Sequence, residues 1–345
     1  MGKERTNIYE IAKAAGVSTA TVSRVMTNSA HVSEEKRRKV EEAIRRYGYR
    51  PNALAQGLSA NRTKTIGLLV ADISSSFYEN VTVACERAAD QQDYTLLIMS
   101  SLGNDELGRR QMFRMYGQNV DALVLIGGSL DSVTANEEFI EQINHMCRVM
   151  PVISSGKPAG AENLKVALDE AGSMDIAMNY LLELGHTKIA MIGGRKGANS
   201  TLEKRIRYRT ALANHGIAWR EDYLLETEHY TNPEGYRAMK RMLKNPDRPT
   251  AVVAINDACA TGILRAALEE GLEIPRDLSL ISFDNTYLSE MVTPQITSIG
   301  CNYDEYGRVL IGTAVKAAAG EKVPPVQLVP VSMTERGSCA PPPKP

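Results

Sequence analysis

The stretch VSTATVSRVM, Val17–Met26, sets two Thr, two Ser and one Arg on a short helical segment close to the N-terminus. The residues before it, Ile8 to Gly16, also read as a helix. Ile8, Ile11, Ala12 and Ala15 share one face, Asn7 with Glu10 forms a capping-box pattern, and Gly16 is the stop. Two helices joined by a tight turn make a helix-turn-helix, and three positions test it. Ala12 is small where the helices would cross, Gly16 is free to take the left-handed turn conformation, and Val22 packs the second helix on the first. The second helix then presents Ser18, Thr19, Ala20, Ser23 and Arg24 outward. Short donors, methyl groups and one planar fork suit the major groove of DNA.

Charge separates this reading from that of an ordinary Ala/Ser/Thr-rich helix. Residues 1–64 hold 13 Lys and Arg against 6 Asp and Glu, whereas the remainder holds 27 against 35. The chain's net charge of −1 therefore hides a head of +7 on a body of −8. A basic surface attracts phosphates and binds them in a salt-dependent way, so the expected partner is double-stranded DNA.

At 345 residues the chain has room for two or three domains. No N-terminal segment resembles a signal peptide and no apolar run approaches the roughly 20 residues of a membrane span, so a cytoplasmic protein with no membrane partner is expected. Five scattered Cys without a CxxC pair, and five His without ligand spacing, give no disulfide framework and no metal site. No nucleophile–base constellation supports catalysis, and no cofactor is expected.

A third helix starts near Ser33 and stops at Gly48, with Val40, Ala43, Ile44 and Tyr47 at helical spacing. PNALAQGLSANRTKT, Pro51 to Thr65, reads as a short helix capped by Asn52 and running to Leu58. Two turns are unstable alone, and Gly57 costs about 1 kcal/mol against Ala, so this hinge is expected to order only when held. From Thr65 strands and helices alternate: TIGLLVA, YTLLIMS, ALVLIGG and PVISS, then after KVALD the series KIAMIGG, LLETEHY, AVVAI and LSLISF. That is the pattern of two doubly wound parallel-sheet halves, which hold a ligand in the crevice at the carboxyl ends of their strands. Gly127–Gly128 and Gly193–Gly194 do not extend to GxGxxG and mark tight strand-to-helix turns.

NIYEIAKAAGVSTATVSRVM, VSEEKRRKVEEAIRRYGYRPNALAQGL and TKTIGLLVADI, followed by LLELGHTKIAMIGG, PTAVVAINDACATG and ISFDN, resemble the lactose-repressor (LacI/GalR) family of bacterial transcription regulators, from about residue 6 to 336. The resemblance implies a helix-turn-helix headpiece at 1–50 and a hinge at 51–64. It implies a periplasmic-binding-protein-like core at 65–338, made of an N-subdomain (about 65–164 and 297–323) and a C-subdomain (about 165–296 and 324–338). Residues 339–345, ending in APPPKP, are expected to be a disordered tail. It also implies a homodimer on a palindromic operator, with a small sugar-like effector, acidic or neutral, in the crevice. A regulator of the same fold controlled by a partner protein, and a sugar-binding protein without DNA binding, are the alternatives.

Carried over by position, Thr19, Ala20 and Arg24 read bases, Ser18, Thr21 and Ser23 contact phosphates or pack, and Asn52 and Ala55 belong to the hinge. Leu58 matches the leucine that wedges into the minor groove, although Gln56-Gly57 stands where the family often has Arg-Ser. In the crevice, Ser75-Ser76-Phe77-Tyr78 replaces a common Asn-Pro-Phe-Phe, and Lys157 stands at a strand-end Arg position. Lys204 takes the Arg position of the family's R-x-x-G-[FY] helix, but Arg207 replaces its Gly, so Arg205 is a second choice. Tyr230 is at a ring-stacking position, and Asn256 and Asp284 at hydroxyl-binding ones, with Asp257 expected to cap the next helix. Unpaired Lys204, Arg205 and Lys157 would favour an effector bearing a carboxylate or phosphate.

Overall fold

The computed structural model describes residues 7–27, 32–49, 62–134 and 136–343. The chain divides into two compact units, Met1–Thr63 and Lys64–Pro345. Asn52, Ala55, Gln56, Gly57 and Leu58 of the expected hinge lie outside the described residues.

The first unit contains α1 (Ile8–Ala15), α2 (Thr19–Thr27) and α3 (Glu34–Tyr47). The capping box at the start of α1 is formed. Asn7 Oδ1 accepts from the amides of Tyr9 and Glu10, and Glu10 Oε2 accepts from the Asn7 amide. Gly16 ends α1 at φ 63°, ψ 37°, a conformation that costs a side chain-bearing residue energy and Gly almost none. Ile11, Ala12, Ala15, Val22, Val25, Val32, Val40 and Ala43 form the core of this unit. Ser33 occupies the N-cap position of α3 without making a side-chain cap bond, and Tyr47 is exposed with Arg46 stacked on its ring.

The second unit alternates strand and helix: β1 (Thr65–Val70), α4 (Ser76–Asp90), β2 (Thr95–Ser100), α5 (Asp105–Gly117), β3 (Ala122–Ile126), α6 (Glu137–Cys147), β4 (Val152–Ser154), β5 (Leu164–Leu168) and α7 (Glu170–Glu183). It continues through β6 (Ile189–Ile192), α8 (Asn199–Asn214), β7 (Leu224–Leu225), α9 (Asn232–Met242), β8 (Ala251–Ala254), α10 (Asp257–Glu269), β9 (Ser279–Phe283) and α11 (Tyr287–Glu290). The last elements are β10 (Thr297–Cys301), α12 (Tyr303–Ala318), β11 (Val326–Val329) and β12 (Val331–Thr334). One sheet runs β11-β5-β4-β3-β1-β2 and the other β12-β10-β9-β8-β6-β7, parallel except for the β10–β12 pair. Both faces of each sheet are covered. Along β3, Val124 and Ile126 join one cluster while Leu123 and Leu125 join another; along β8, Val252 and Ala254 alternate in the same way with Ala251 and Val253. Such central strands carry no polar face, which is why they read as unbroken apolar runs.

The subdomain boundaries differ from those expected. β5 pairs with β4, and β11 with β5, so 164–168 and 326–329 both belong to the N-subdomain; β10 pairs with β9 and β12, which places 297–301 in the C-subdomain. The chain thus crosses between subdomains after β5, after β10 and after β11. The expected disordered tail is also corrected at its start, because residues 339 and 340 are anchored. Ser279 Oγ accepts from the Ala340 amide, the Ala340 carbonyl lies 2.9 Å from His186 Nε2, and the Cys339 thiol donates to the Leu280 carbonyl. Composition favoured disorder, but the partners found for the Ala340 amide and carbonyl outweigh it there. No helix among the described residues is long and apolar enough to cross a membrane.

Candidate functional site

In the headpiece, α2 begins with its own small network. Ser18 Oγ accepts from the Thr21 amide at 3.2 Å and lies 3.0 Å from Thr21 Oγ1. Ser18 therefore caps the helix, and its hydroxyl and that of Thr21 are engaged with each other. Ala20 and Arg24, one turn apart, are exposed, and Thr19 and Ser23 form a half-buried row beside them. With Val22 and Val25 buried, the base-reading positions expected from the sequence face out together.

In the second unit, the carboxyl ends of β1 and β3 meet those of β6 and β9 across a crevice. Tyr78, on the first turn of α4, has its hydroxyl close over Gly127. A Cβ at Gly127 would fall 2.2 Å from Tyr78 Oη, so only Gly permits this placement. Burial and the nearby Asp131, Tyr230 and Asp284 raise the Tyr78 phenol well above its ordinary pKa, and Arg195 opposes them. Asp131 belongs to the same subdomain as Tyr78, whereas Tyr230, Asp284 and Arg195 belong to the other, so Tyr78 feels charges from both. Phe77 plays another part, packing on the N-subdomain core with its ring 6.0 Å from that of Tyr303. Ser75 precedes α4 without making a side-chain cap bond.

Asp284 ends β9 at φ 92°, in a region that disfavours side chains, and its carboxylate accepts no hydrogen bond from the described residues. Burial and the neighbouring Asp257 raise its pKa above the ordinary carboxylate range, against the pull of Lys204. A strained carboxylate without a hydrogen-bond donor makes Asp284 a candidate functional position.

The basic residues are not as expected. Lys204, 6% exposed, is ion-paired with Glu170, and its ammonium lies 4.9 Å from the Phe283 ring centroid. Burial lowers its pKa while Asp284 and Asp131 support the charge. Arg205 is ion-paired with Glu226 and donates to the Gly194 carbonyl. Lys157 is exposed and forms no ion pair among the described residues; its charge works against the burial that raises the pKa of the Cys147 thiol. The expectation of several unpaired bases around an acidic effector is therefore corrected. Each buried base already has a carboxylate, because leaving an ammonium or guanidinium buried and unpaired is costly.

Two other expectations shift by one residue. Asn256, not Asp257, caps α10. Its Oδ1 accepts from the Cys259 amide and its amide group donates to the Tyr230 carbonyl, which leaves it engaged in holding the fold. Asp257 is fully buried and accepts from Ser282 Oγ, Ser298 Oγ, and both the amide and hydroxyl of Thr286. It ties α10 to β9, β10 and the loop after Asp284. Tyr230 Oη lies 3.2 Å from Thr201 Oγ1 and accepts from the Arg195 amide.

Sequence reasoning missed Asp131, Glu170, Arg195, Phe283 and Tyr303. Asp131 and Arg195 follow β3 and β6 in the loops where such folds bind ligands, so topology could have nominated them. Arg195 is exposed, forms no ion pair among the described residues, and acts electrostatically on both Tyr78 and Tyr230. Tyr303 donates from its hydroxyl to the Asp284 carbonyl, bracing the strained residue from the other subdomain.

Comparison with known proteins agrees with both parts of this geometry. A family model described as bacterial regulatory proteins, lacI family, matches residues 7–52, and one described as a periplasmic binding protein-like domain matches 178–339. The catabolite control protein A of Priestia megaterium is 33% identical over 294 residues, covering 85% of this chain and 86% of its own. The ribose operon repressor of Escherichia coli is 30% identical over 331 residues, covering 95% and 98%. Among solved structures, a lac repressor dimer bound to operator and the anti-inducer ONPF superposes with a TM-score of 0.88 at 24% identity, covering 98% of this chain and all of that one.

Proposed function

Because this chain belongs to the lacI family of bacterial regulatory proteins, DNA-binding regulators of transcription, we propose that it is a dimeric repressor of carbohydrate-use genes released or recruited by a neutral sugar. One observation carries the choice of effector. Among the described residues, the polar groups left open around the crevice include the Tyr78 hydroxyl, the Asp284 carboxylate and the Arg195 guanidinium, drawn from both subdomains. Lys204 and Arg205 already face carboxylates, and the Arg205 Nε–H alone of its guanidinium is without a partner. A hydroxyl, an acceptor and a planar donor, with one negative and one positive charge, suit a polyol that carries no net charge.

Arg24 is the residue proposed to grip a guanine, with the Thr19 and Ala20 methyl groups against thymines. A second copy of the chain is the proposed occupant of the β2 edge. Ile73, Ile98 and Leu102 are exposed there, and the amides of Ile73 and Leu102 both donate to Ser100 Oγ, which gathers them around one point. An apolar edge strand left open invites such pairing. A thermal-shift screen of matched neutral sugars, sugar acids and sugar phosphates tests the effector. The expected result is stabilisation by a neutral member, and stabilisation by acidic members alone overturns it.

A further inference from the structure

The helix α8 carries Thr201, Lys204 and Arg205 into the crevice, yet it starts without a cap of its own. Its N-cap residue is Ala198, which has no side-chain acceptor to offer and is among the poorest choices at that position. The first turn is completed from the other subdomain. Asp131, at the end of the 3-10 turn Gly128–Asp131, accepts from the Ser200 amide at 2.8 Å through Oδ1 and from Ser200 Oγ at 2.6 Å through Oδ2. A carboxylate in that place satisfies an orphan N–H and meets the positive end of the helix dipole. The backbone closes the same seam. Ser132 and Ala198 form an antiparallel bridge, and the Val133 amide donates to the Gly197 carbonyl at 2.8 Å.

We propose that Asp131 is a latch between the subdomains, capping α8 in trans, so that closing the crevice and ordering the effector-facing turn of α8 are one event. When the crevice opens, Ala198 has nothing to put in place of Asp131, and the turn that positions Thr201 against Tyr230 loses its cap. The latch consists wholly of this chain's atoms. An effector therefore acts on it by adding contacts to one arrangement of the subdomains and not the other. The role of the crevice as effector site comes from the preceding proposal, but the latch is testable without any effector.

Hydrogen exchange of the full-length protein reads both sides of the seam through two amides, Ser200 for the helix cap and Val133 for closure. Asp131→Ala is expected to speed exchange at both by about tenfold or more, the scale of a lost charge-assisted hydrogen bond. Adding Ala198→Ser supplies a cap in cis and is expected to restore Ser200 while Val133 stays fast. Unchanged exchange at Val133 in Asp131→Ala overturns the latch, and so does recovery of both amides with Ala198→Ser, which would make Asp131 a helix cap alone. Should Asp131→Ala fail to fold, Asp131→Asn keeps the shape and one acceptor oxygen. It is expected to speed the same two amides less, and no acceleration there overturns the proposal equally. A failed sugar screen leaves this result standing, and a failed exchange experiment leaves the sugar screen standing.

Discussion

The headpiece and the crevice are both built for recognition, but they hold their polar residues in opposite ways. On α2 the exposed Ala20 and Arg24 stand clear of the headpiece core, while Ser18 and Thr21 cap its start. In the crevice nearly every polar residue has a partner. Lys204 holds Glu170, Arg205 holds Glu226, Asn256 caps α10, Asp131 caps α8 and Asp257 binds four donors. A surface that meets a polyanion needs no internal partners, because water satisfies it until the phosphates arrive. A closed cleft excludes water and must satisfy its charges itself, leaving open only those a ligand will meet.

The largest expected effect breaks the comparison outright. A fragment comprising residues 64–345 keeps the cores of both sheets and should melt as a folded protein, yet lose all binding to DNA, specific or not. The full chain should bind DNA with steep salt dependence. Mobility-shift titrations at several salt concentrations check both, and DNA binding by the fragment would remove the headpiece reading.

Within the crevice, Lys204→Met leaves Glu170 beside a low-dielectric wall with no counter-charge. Glu170 is part-exposed, so we expect a loss of about 2–3 kcal/mol in stability, below the range for a fully buried pair. Combining it with Glu170→Gln should recover most of that loss. Denaturant unfolding of the single and double variants checks this, and equal stability of wild type and Lys204→Met would show the pair to be idle. The corresponding headpiece change, Arg24→Ala, should leave stability within about 0.5 kcal/mol, since Arg24 is exposed. It should cost about 1–3 kcal/mol of operator binding and relax preference at one base pair per half-site. Selection of binding sites from random DNA reads that position directly.

What the sequence made legible follows the same division. The caps of α1, the Gly16 turn and the burial of Val22 depend on residues within a few positions of one another, so local periodicity was enough. The unbroken apolar runs likewise announced parallel sheets covered on both faces. Of the residues expected at the crevice, Tyr78, Lys204, Tyr230 and Asp284 come within electrostatic reach of one another. Their partners were not legible, because Glu170 is 34 positions from Lys204, and Asp131 is 69 positions from Ser200. Asn256 and Asp257 show the limit most sharply. Adjacent residues of similar shape exchange the roles of cap and buried hub, and only the positions of Ser282, Thr286 and Ser298 decide between them. The subdomain boundaries failed for a related reason, since β5, β10 and β11 declare their sheet only through the strands they pair with.

The smallest effect expected concerns pH and the Asp284 carboxylate, which accepts no hydrogen bond from the described residues. Burial and Asp257 raise the pKa of Asp284 in the folded protein above the value near 4 it would have in the unfolded chain. Between those two values the folded state holds more protons than the unfolded state, so the contribution of Asp284 to stability falls as pH rises through that window and stays low above it. Asp284→Asn removes the titration and keeps a residue that tolerates φ 92° better than most. Near pH 4 the variant and wild type should have similar stability. Near pH 8 the variant should be the more stable, by about 1 kcal/mol, because it no longer confines an unpaired charge. It should also lose affinity for the sugar that stabilises wild type, since the amide replaces the acceptor proposed to meet the ligand's hydroxyls. Melting curves of both proteins across pH 4–8, with and without that sugar, check the two effects together. A variant less stable than wild type at pH 8 would mean that Asp284 is satisfied within the fold, and that the crevice is closed to ligand at the point where its open polar groups converge.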